Sequence, residues 1–356
     1  MTRLHKAACA IAALVVALVA NSAAQSQRVQ LVVNEAGRRV EVLVDGRPFT
    51  SYIWPTTLKK PTLFPLRSAK GTIVTRGYPL EPRKNERVDH PHHVGLWLNS
   101  GDVNGLDFWN NSDAIKPDQQ PKMGTILHRK IVDAKGGNDK GTLVVETDWV
   151  KPDGIPLLKE RTEFVFRGDA TSRTIDRTTT LTALSEKVLF KDNKENFFGM
   201  RVARELELPY DKPEVLTDAS GKPSEKPVMD NTGVSGQYTS SEGLQGDKVW
   251  GTRGRWMMLT GTVASEPVTI AILDKPSNPG FPTYWHARGY GLFAANPLGA
   301  AVLTEGKQSL DLTLEPGKST TFDYRVVILS GTAKPADVEK AYQEFVAAEK
   351  RTAEKH

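Results

Sequence analysis

The chain has 356 residues, a formal charge of +5 and a single cysteine. Its 47 basic and 42 acidic residues are interspersed, with no basic block set among aromatics, which argues against nucleic acid as a partner. Cys9 stands alone, so the body of the chain holds itself together by core packing, without disulfides or thiolate chemistry.

The first segment reads as a secretory address. Arg3 and Lys6 precede an apolar run from Ala7 to Ala20, and Ser22-Ala23-Ala24 offers small residues for cleavage near Ala24. The run is short for a membrane span. A signal peptide over 1–24 is therefore expected, leaving a single domain over 25–356 in the periplasm or outside the cell. Loss of Arg3 and Lys6 takes the charge from +5 to +3. The remaining length of about 330 residues suffices for one large core. No second long apolar run follows, so no membrane association is expected after cleavage.

The body reads as β. Val29 to Val33 and Arg39 to Val44 are rich in branched residues and flank a turn at Asn34-Glu35-Ala36-Gly37. Further strands are expected at Gly124 to Val132, Thr142 to Val150, Leu157 to Phe166, Arg173 to Ala183, Arg255 to Val263, Val268 to Leu273, Ser309 to Leu314 and Thr321 to Leu329. Many alternate apolar and polar residues, as half-buried strands do. Residues 211–247 are rich in Pro, Ser, Gly, Asp and Lys and predict a loop insertion. Pro335 begins the one expected helix, over about 335–350, with Val338, Ala341, Tyr342, Phe345 and Val346 at helical spacing. The expected fold is all-β: a large antiparallel β-sandwich with one C-terminal helix.

Three segments hold chemistry. The first is Val88 to Trp109, with three of the seven histidines within four positions. Read as a strand, it places His92, Val94, Leu96 and Leu98 on a core face and His93, Gly95 and Trp97 on a site face. Pro91 biases His90 toward extended geometry. Asp102, Asn104 and Asp107 lie in a following segment whose Asn104-Gly105 pair signals a turn. The second segment runs from Lys191 to Arg201, where an extended chain puts Glu195, Phe197, Gly199 and Arg201 on one face. The third, Pro282 to Pro297, alternates Tyr284, His286, Arg288 and Tyr290 onto one face, an unusually polar and aromatic set.

Together these segments resemble the bacterial PmoA family of secreted proteins, labelled methane oxygenase. The resemblance rests on DHPHH, GLW, GDVNG and DFW, on NFFGMR and on PTYWHARGYGLFAANP, and covers nearly the whole body. It implies a many-stranded β-sandwich similar in size to the sugar-mutarotase supersandwich. It matches at Asp89, His90, His92, His93, Asp102, Asp107, Arg201, His286 and Arg288. The label implies a copper-dependent membrane oxygenase, and no membrane domain is visible in this chain.

The residues themselves point first to a secreted protein acting on carbohydrate through non-redox epimerase, lyase or hydrolase chemistry. His93 and His286 are the expected acid/base groups and Glu195 the carboxylate. Arg201, Arg288, Asp102 and Asp107 would bind a small sugar or oligosaccharide, with Trp97 and Tyr290 stacking on it. No acid pair suggests a two-carboxylate glycosidase. No cofactor is required by this reading. A second reading makes His90, His92 and His93 ligands for Zn or Cu, with the oxygenase label as one form of it. A third is a non-catalytic polysaccharide-binding module.

Overall fold

The computed structural model describes residues 27–353, so the expected leader lies outside the described residues. In chain order, the first strands are β1 (Val29–Asn34), β2 (Arg39–Val44), β3 (Arg47–Ile53), β4 (Thr62–Leu63), β5 (Leu96–Ser100) and β6 (Thr125–Lys135). The middle of the chain supplies β7 (Gly141–Val150), β8 (Pro156–Gly168), β9 (Ser172–Ala183), β10 (Val188–Phe190), β11 (Asn196–Arg201) and β12 (Gln237–Ser240). The last third supplies β13 (Trp256–Val263), β14 (Glu266–Asp274), β15 (Tyr284–Ala287), β16 (Leu292–Asn296), β17 (Leu312–Leu314) and β18 (Ser319–Ser330), with helices α1 (Ala300–Leu303) and α2 (Pro335–Ala353).

Two eight-stranded sheets make a β-sandwich, with orders β1-β2-β3-β4-β5-β11-β16-β15 and β12-β13-β14-β18-β9-β8-β7-β6. All their pairings are antiparallel, and β10 and β17 form a small separate ribbon. Alternation decides which face is buried. In β8, Leu158, Glu160, Thr162, Phe164 and Phe166 point inward while Lys159, Arg161 and Glu163 face solvent. The inner faces meet in one core in which Phe198 stacks on Tyr324 at 4.6 Å and Phe49 meets Phe166 edge-on at 6.2 Å. That core encloses the buried ion pair of Arg177 with Glu160, at 2.9 Å. Trp149 Nε1 and Thr162 Oγ1 donate to the same carboxylate.

Helix α2 lays Val338, Tyr342 and Phe345 on the outside of the second sheet, against Trp256, Met258 and Leu273. The segment 211–247 is mostly irregular, but its end forms β12, which pairs with β13. The expected run Ser309 to Leu314 shortens to β17. Among the described residues no helix is long and apolar enough to cross a membrane.

Sheet register sets up the site. Trp97 pairs with Gly199, Gly199 with Ala294, and Ala294 with His286. These four residues form one row across β5, β11, β16 and β15 on the outer face of the first sheet. Their inner neighbours Leu98, Phe198, Ala295 and Trp285 belong to the core. The adjacent outer row carries Arg201 opposite Leu292.

Candidate functional site

The outer row is built around two small residues. A Cβ on Gly199 would stand 2.8 Å from Trp97 and 3.2 Å from Trp109, so this glycine lets both indoles lie on the strand. We expect Gly199→Ala to displace them at a cost of about 1–3 kcal/mol. Denaturant melts and the near-ultraviolet tryptophan signal check this; an unchanged signal with unchanged stability would mean the indoles are loosely held.

Above this floor, residues 89–93 form a turn instead of the expected strand. His90 adopts φ +43°, in the left-handed region, although the residue before a proline was expected to be extended. The turn is fixed by buried donors. Arg76 donates to the His90 carbonyl (2.8 Å), the His93 carbonyl (3.1 Å) and the Asp89 carbonyl (2.8 Å), and His93 N–H donates to the His90 carbonyl (3.0 Å). These bonds override the local preference, and they end the simple alternation that separated His92 from His93.

The turn stacks its rings into a column. Tyr290, His90, His93 and Trp97 follow one another with near-parallel planes at centroid spacings of 5.2, 4.8 and 5.1 Å. His93 is in the interior of the column and 1% exposed. Trp109 Nε1 lies 3.2 Å from its Nε2, and Arg201 Nη1 lies 3.3 Å from its Nδ1. Both neighbours are donors only, whereas a neutral imidazole has one acceptor nitrogen and a cationic one has none. Burial, then His92 and the Arg201 charge, hold its pKa well below the usual histidine value. His93 is thus a neutral structural ring in this arrangement, which does not fit the acid/base role expected of it.

His286 occupies the same outer face without meeting His93; among the described residues the two rings make no contact. It is 2% exposed, lies edge-on to Trp250 at 6.2 Å, and has a buried Nδ1 with no protein partner. Burial and the Arg288 charge push its pKa down to about 3. The two rings expected to act together as acid and base are thus each almost fully buried. Trp97 is fully buried and presents no free face to a ligand.

His90 is different. Its side chain is 41% exposed, and its Nδ1 lies 2.8 Å from Asp89 Oδ2. The other oxygen, Asp89 Oδ1, accepts from Arg76 (2.7 Å) and Arg201 (2.6 Å), which are 1% and 0% exposed. Burial pushes the Asp89 carboxyl up. The Arg201 charge, the His90 hydrogen bond and Arg76 outweigh it and hold the group well below the usual carboxylate range. Asp89 is therefore ionised, and its hydrogen bond favours the His90 tautomer with Nδ1–H, in which Nε2 carries the lone pair; among the described residues that nitrogen has no protein partner.

Tyr290, on which His90 stacks, borders an open cleft of about 530 Å³ that is also lined by Tyr210, Asp247, Trp250, Arg288 and Gly289; His90 reaches this cleft only through the Tyr290 ring. Arg288 lies over Trp250 at 5.1 Å and over Tyr290 at 5.7 Å; Arg201 lies over Tyr290 at 5.0 Å. Burial raises the Tyr290 phenol to about 12, so it keeps its proton. Glu195 is near enough for its charge to act on Tyr290, and its carboxylate pairs with Lys194 at 3.1 Å. Arg201, Arg288 and Tyr290 thus converge on one region, with Glu195 at its margin.

Two predicted binders do not join them. Asp102 accepts from Gly105 N–H at 2.9 Å and builds the turn that Asn104 and Gly105 close with positive φ. Asp107 accepts from the Trp109 and Asn110 N–H groups at 2.9 Å, so it shapes the loop that delivers Trp109. The chain around Phe197 also departs from simple alternation: that side chain enters the core against Phe190 and Phe322.

The histidine cluster does not have the geometry of a metal centre. A metal lies near the plane of each imidazole that binds it. The His90 and His93 rings are parallel within 3° and stacked, so one ion cannot lie in both planes. His93 also faces the Arg201 cation. Among the described residues, no group of three or more His, Cys, Asp or Glu is placed to hold a metal ion. The residues present do not fit Zn or Cu held by His90, His92 and His93.

A family model matches residues 39–343, a span that contains every residue of the cluster and cleft. The chain belongs to DUF6807, a family of unknown function. Nothing in the comparisons supports the PmoA label for this DUF6807 chain. No curated protein matches it. Among solved structures it is similar to a galactose mutarotase-like protein from Clostridium acetobutylicum, at 10% identity and a TM-score of 0.35, over 85% of this chain and 99% of that one. It is also similar to a galactose mutarotase related enzyme from Lactobacillus acidophilus, at 9% identity and a TM-score of 0.29, over 86% of this chain and 99% of that one. A third likeness is to the α-galactosidase from Lactobacillus brevis, at 10% identity and a TM-score of 0.30; it covers 86% of this chain but 40% of the galactosidase.

Several site residues of this DUF6807 chain carried no sequence signal. Arg76 lies in the irregular stretch between β4 and β5, where no periodicity marks a buried face. Trp250 lies next to the polar segment read as a loop. The one available hint was an excess of arginine near the histidines, with Arg76, Arg83 and Arg87 within twelve positions.

Proposed function

We propose that this protein modifies a carbohydrate by proton transfer, with His90 as the acid/base group and Asp89 as the residue that orients it. The carrying observation is the Asp89–His90 pair: a carboxylate fixed by two buried arginines, bonded to the one ring of the column's histidines that is open to solvent. Such a pair can take a proton from a sugar hydroxyl or carbon acid, or return one to a leaving oxygen. Tyr290 and Trp250 offer ring faces for a pyranose, and Arg288 offers donors for hydroxyl or carboxylate groups. His93 stacks on His90 and His286 lies edge-on to Trp250, both as neutral rings. The leader-like N-terminus supports a periplasmic or extracellular location for the reaction.

The test is proton NMR of candidate neutral and acidic sugars incubated with the purified protein. Wild type is expected to change at least one of them, and His90→Gln to slow that change by about 100-fold, the usual scale of a lost acid/base group. The protein should remain folded, because the ring is 41% exposed and glutamine can still donate to Asp89, although the stacking on Tyr290 and His93 is lost. Turnover by His90→Gln at the wild-type rate would overturn the assignment. Binding without turnover by wild type would favour a non-catalytic polysaccharide-binding module.

A further inference from the structure

On the other side of the histidine turn is a second cavity, of about 360 Å³, that shares no lining residue with the cleft. Leu58, Pro79, Leu80, Pro91 and Val94 make much of its wall, and Lys60 is set into it. Lys60 is 6% exposed. Its Nζ donates to the His92 carbonyl at 2.7 Å and lies 5.3 Å from the centre of the Trp97 ring. Among the described residues no carboxylate forms an ion pair with it; the neighbouring Lys59 takes Asp113 at 2.5 Å instead. A lysine so desolvated and unpaired is a poor place for a charge and a good place for a free amine.

We infer that Lys60 is a carbonyl-capturing amine and that this cavity takes a small aldehyde or ketone, open-chain sugar aldehydes included, as a Schiff base. The Lys60 nitrogen adds to the carbonyl carbon, the carbonyl oxygen leaves as water with the two amine hydrogens, and a C=N bond remains. No oxidant or metal is needed. Asn111 and Ser112 line the same cavity and offer polar atoms to the hydroxyls of such a ligand.

The charges around the amine are consistent with this chemistry. Burial brings the Lys60 pKa down to about 7, opposed by the more distant Asp107 carboxylate. The other titratable groups at the cavity are His92, which is held neutral, and the Lys59–Asp113 pair. An ordinary solvated lysine titrates near about 10.4, so at pH 7 very little of it is free amine.

The experiment is reductive trapping on the intact folded protein. Glyceraldehyde and sodium cyanoborohydride are added at pH 7 for a short, fixed time, and peptide mass spectrometry compares Lys60 with Lys307, which is 78% exposed. We expect Lys60 to be modified at least tenfold faster than Lys307 at pH 7, the ratio falling as the pH approaches 10. Lys60→Arg should remove that adduct, and His90→Gln should leave it unchanged, since the cleft is not involved. Modification of Lys60 at or below the Lys307 rate in the wild-type protein would overturn the inference and leave Lys60 as a tether of the histidine turn.

Discussion

Lowering the pH from 7.5 to 5 should cost this protein about 3–4 kcal/mol of unfolding free energy. The cause is the set of rings buried as neutral groups. His92 and His286 have pKa values pushed by burial to about 2 and about 3, and His93 is also pushed well down, from an ordinary 6.5. The unfolded chain binds these three protons as the pH falls through 6.5, while the folded chain refuses them until far lower. The stability they confer is thus complete above 6.5 and lost on descending toward 3. Buried carboxyls whose pKa is raised work in the opposite sense, Asp274 and Glu207 among them. Burial raises Asp274 from 3.8 to about 7, so its folded form binds a proton early and gains stability as the pH falls. The three ring protons, with a part from the half-buried His128, whose pKa burial lowers to about 4, outweigh the raised carboxyls and leave a net loss that is a large part of the 5–15 kcal/mol typical of a native protein. Denaturant unfolding at the two pH values measures it. Equal or greater stability at pH 5 would show that the rings are not held neutral.

Asp89→Asn should destabilise the protein by about 3–5 kcal/mol, the range for removing one partner of a buried ion pair. The carboxylate serves Arg76 and Arg201 at once, and those guanidiniums are 1% and 0% exposed. An amide keeps the shape but not the charge, so two buried cations lose their common anion. Glu207 does not replace it, being held by Arg87 at 2.7 Å and by Arg204. Burial raises its carboxyl against the pull of these arginines. The same change releases the His90 turn, so activity should fall with stability. Thermal and denaturant melts of Asp89→Asn check this. A cost below about 1 kcal/mol would place the Asp89 network in the weak class of surface ion pairs.

The fold was legible because its strands alternate. Thr162 to Phe166 and Arg173 to Ala183 showed their inner faces directly, and both lie where expected. The face of β15 and its following loop was also visible, since Tyr284, His286, Arg288 and Tyr290 form a mixture that an exposed face rarely carries. Two physical effects hid the rest. At residues 89–93 the chain follows Arg76, a residue distant in sequence order from any strand pattern, so local preference gave the wrong geometry for His90. In the loops that carry Lys60 and Trp250, position depends on long-range packing against Trp97 and His286, which no periodicity announces. Alternation also said which side a ring takes but not how deep it lies. That is why His93 and Trp97 were read as open and are in fact buried members of a stack.

The most direct measurement is a crystal structure of His90→Gln bound to the sugar that the wild type turns over. The account predicts a sugar ring against Tyr290 and Trp250, held by Arg288, with a reacting hydroxyl or glycosidic oxygen within hydrogen-bond reach of the residue-90 side chain. A sugar bound away from this cleft, with its reactive atoms out of reach of position 90, would contradict it.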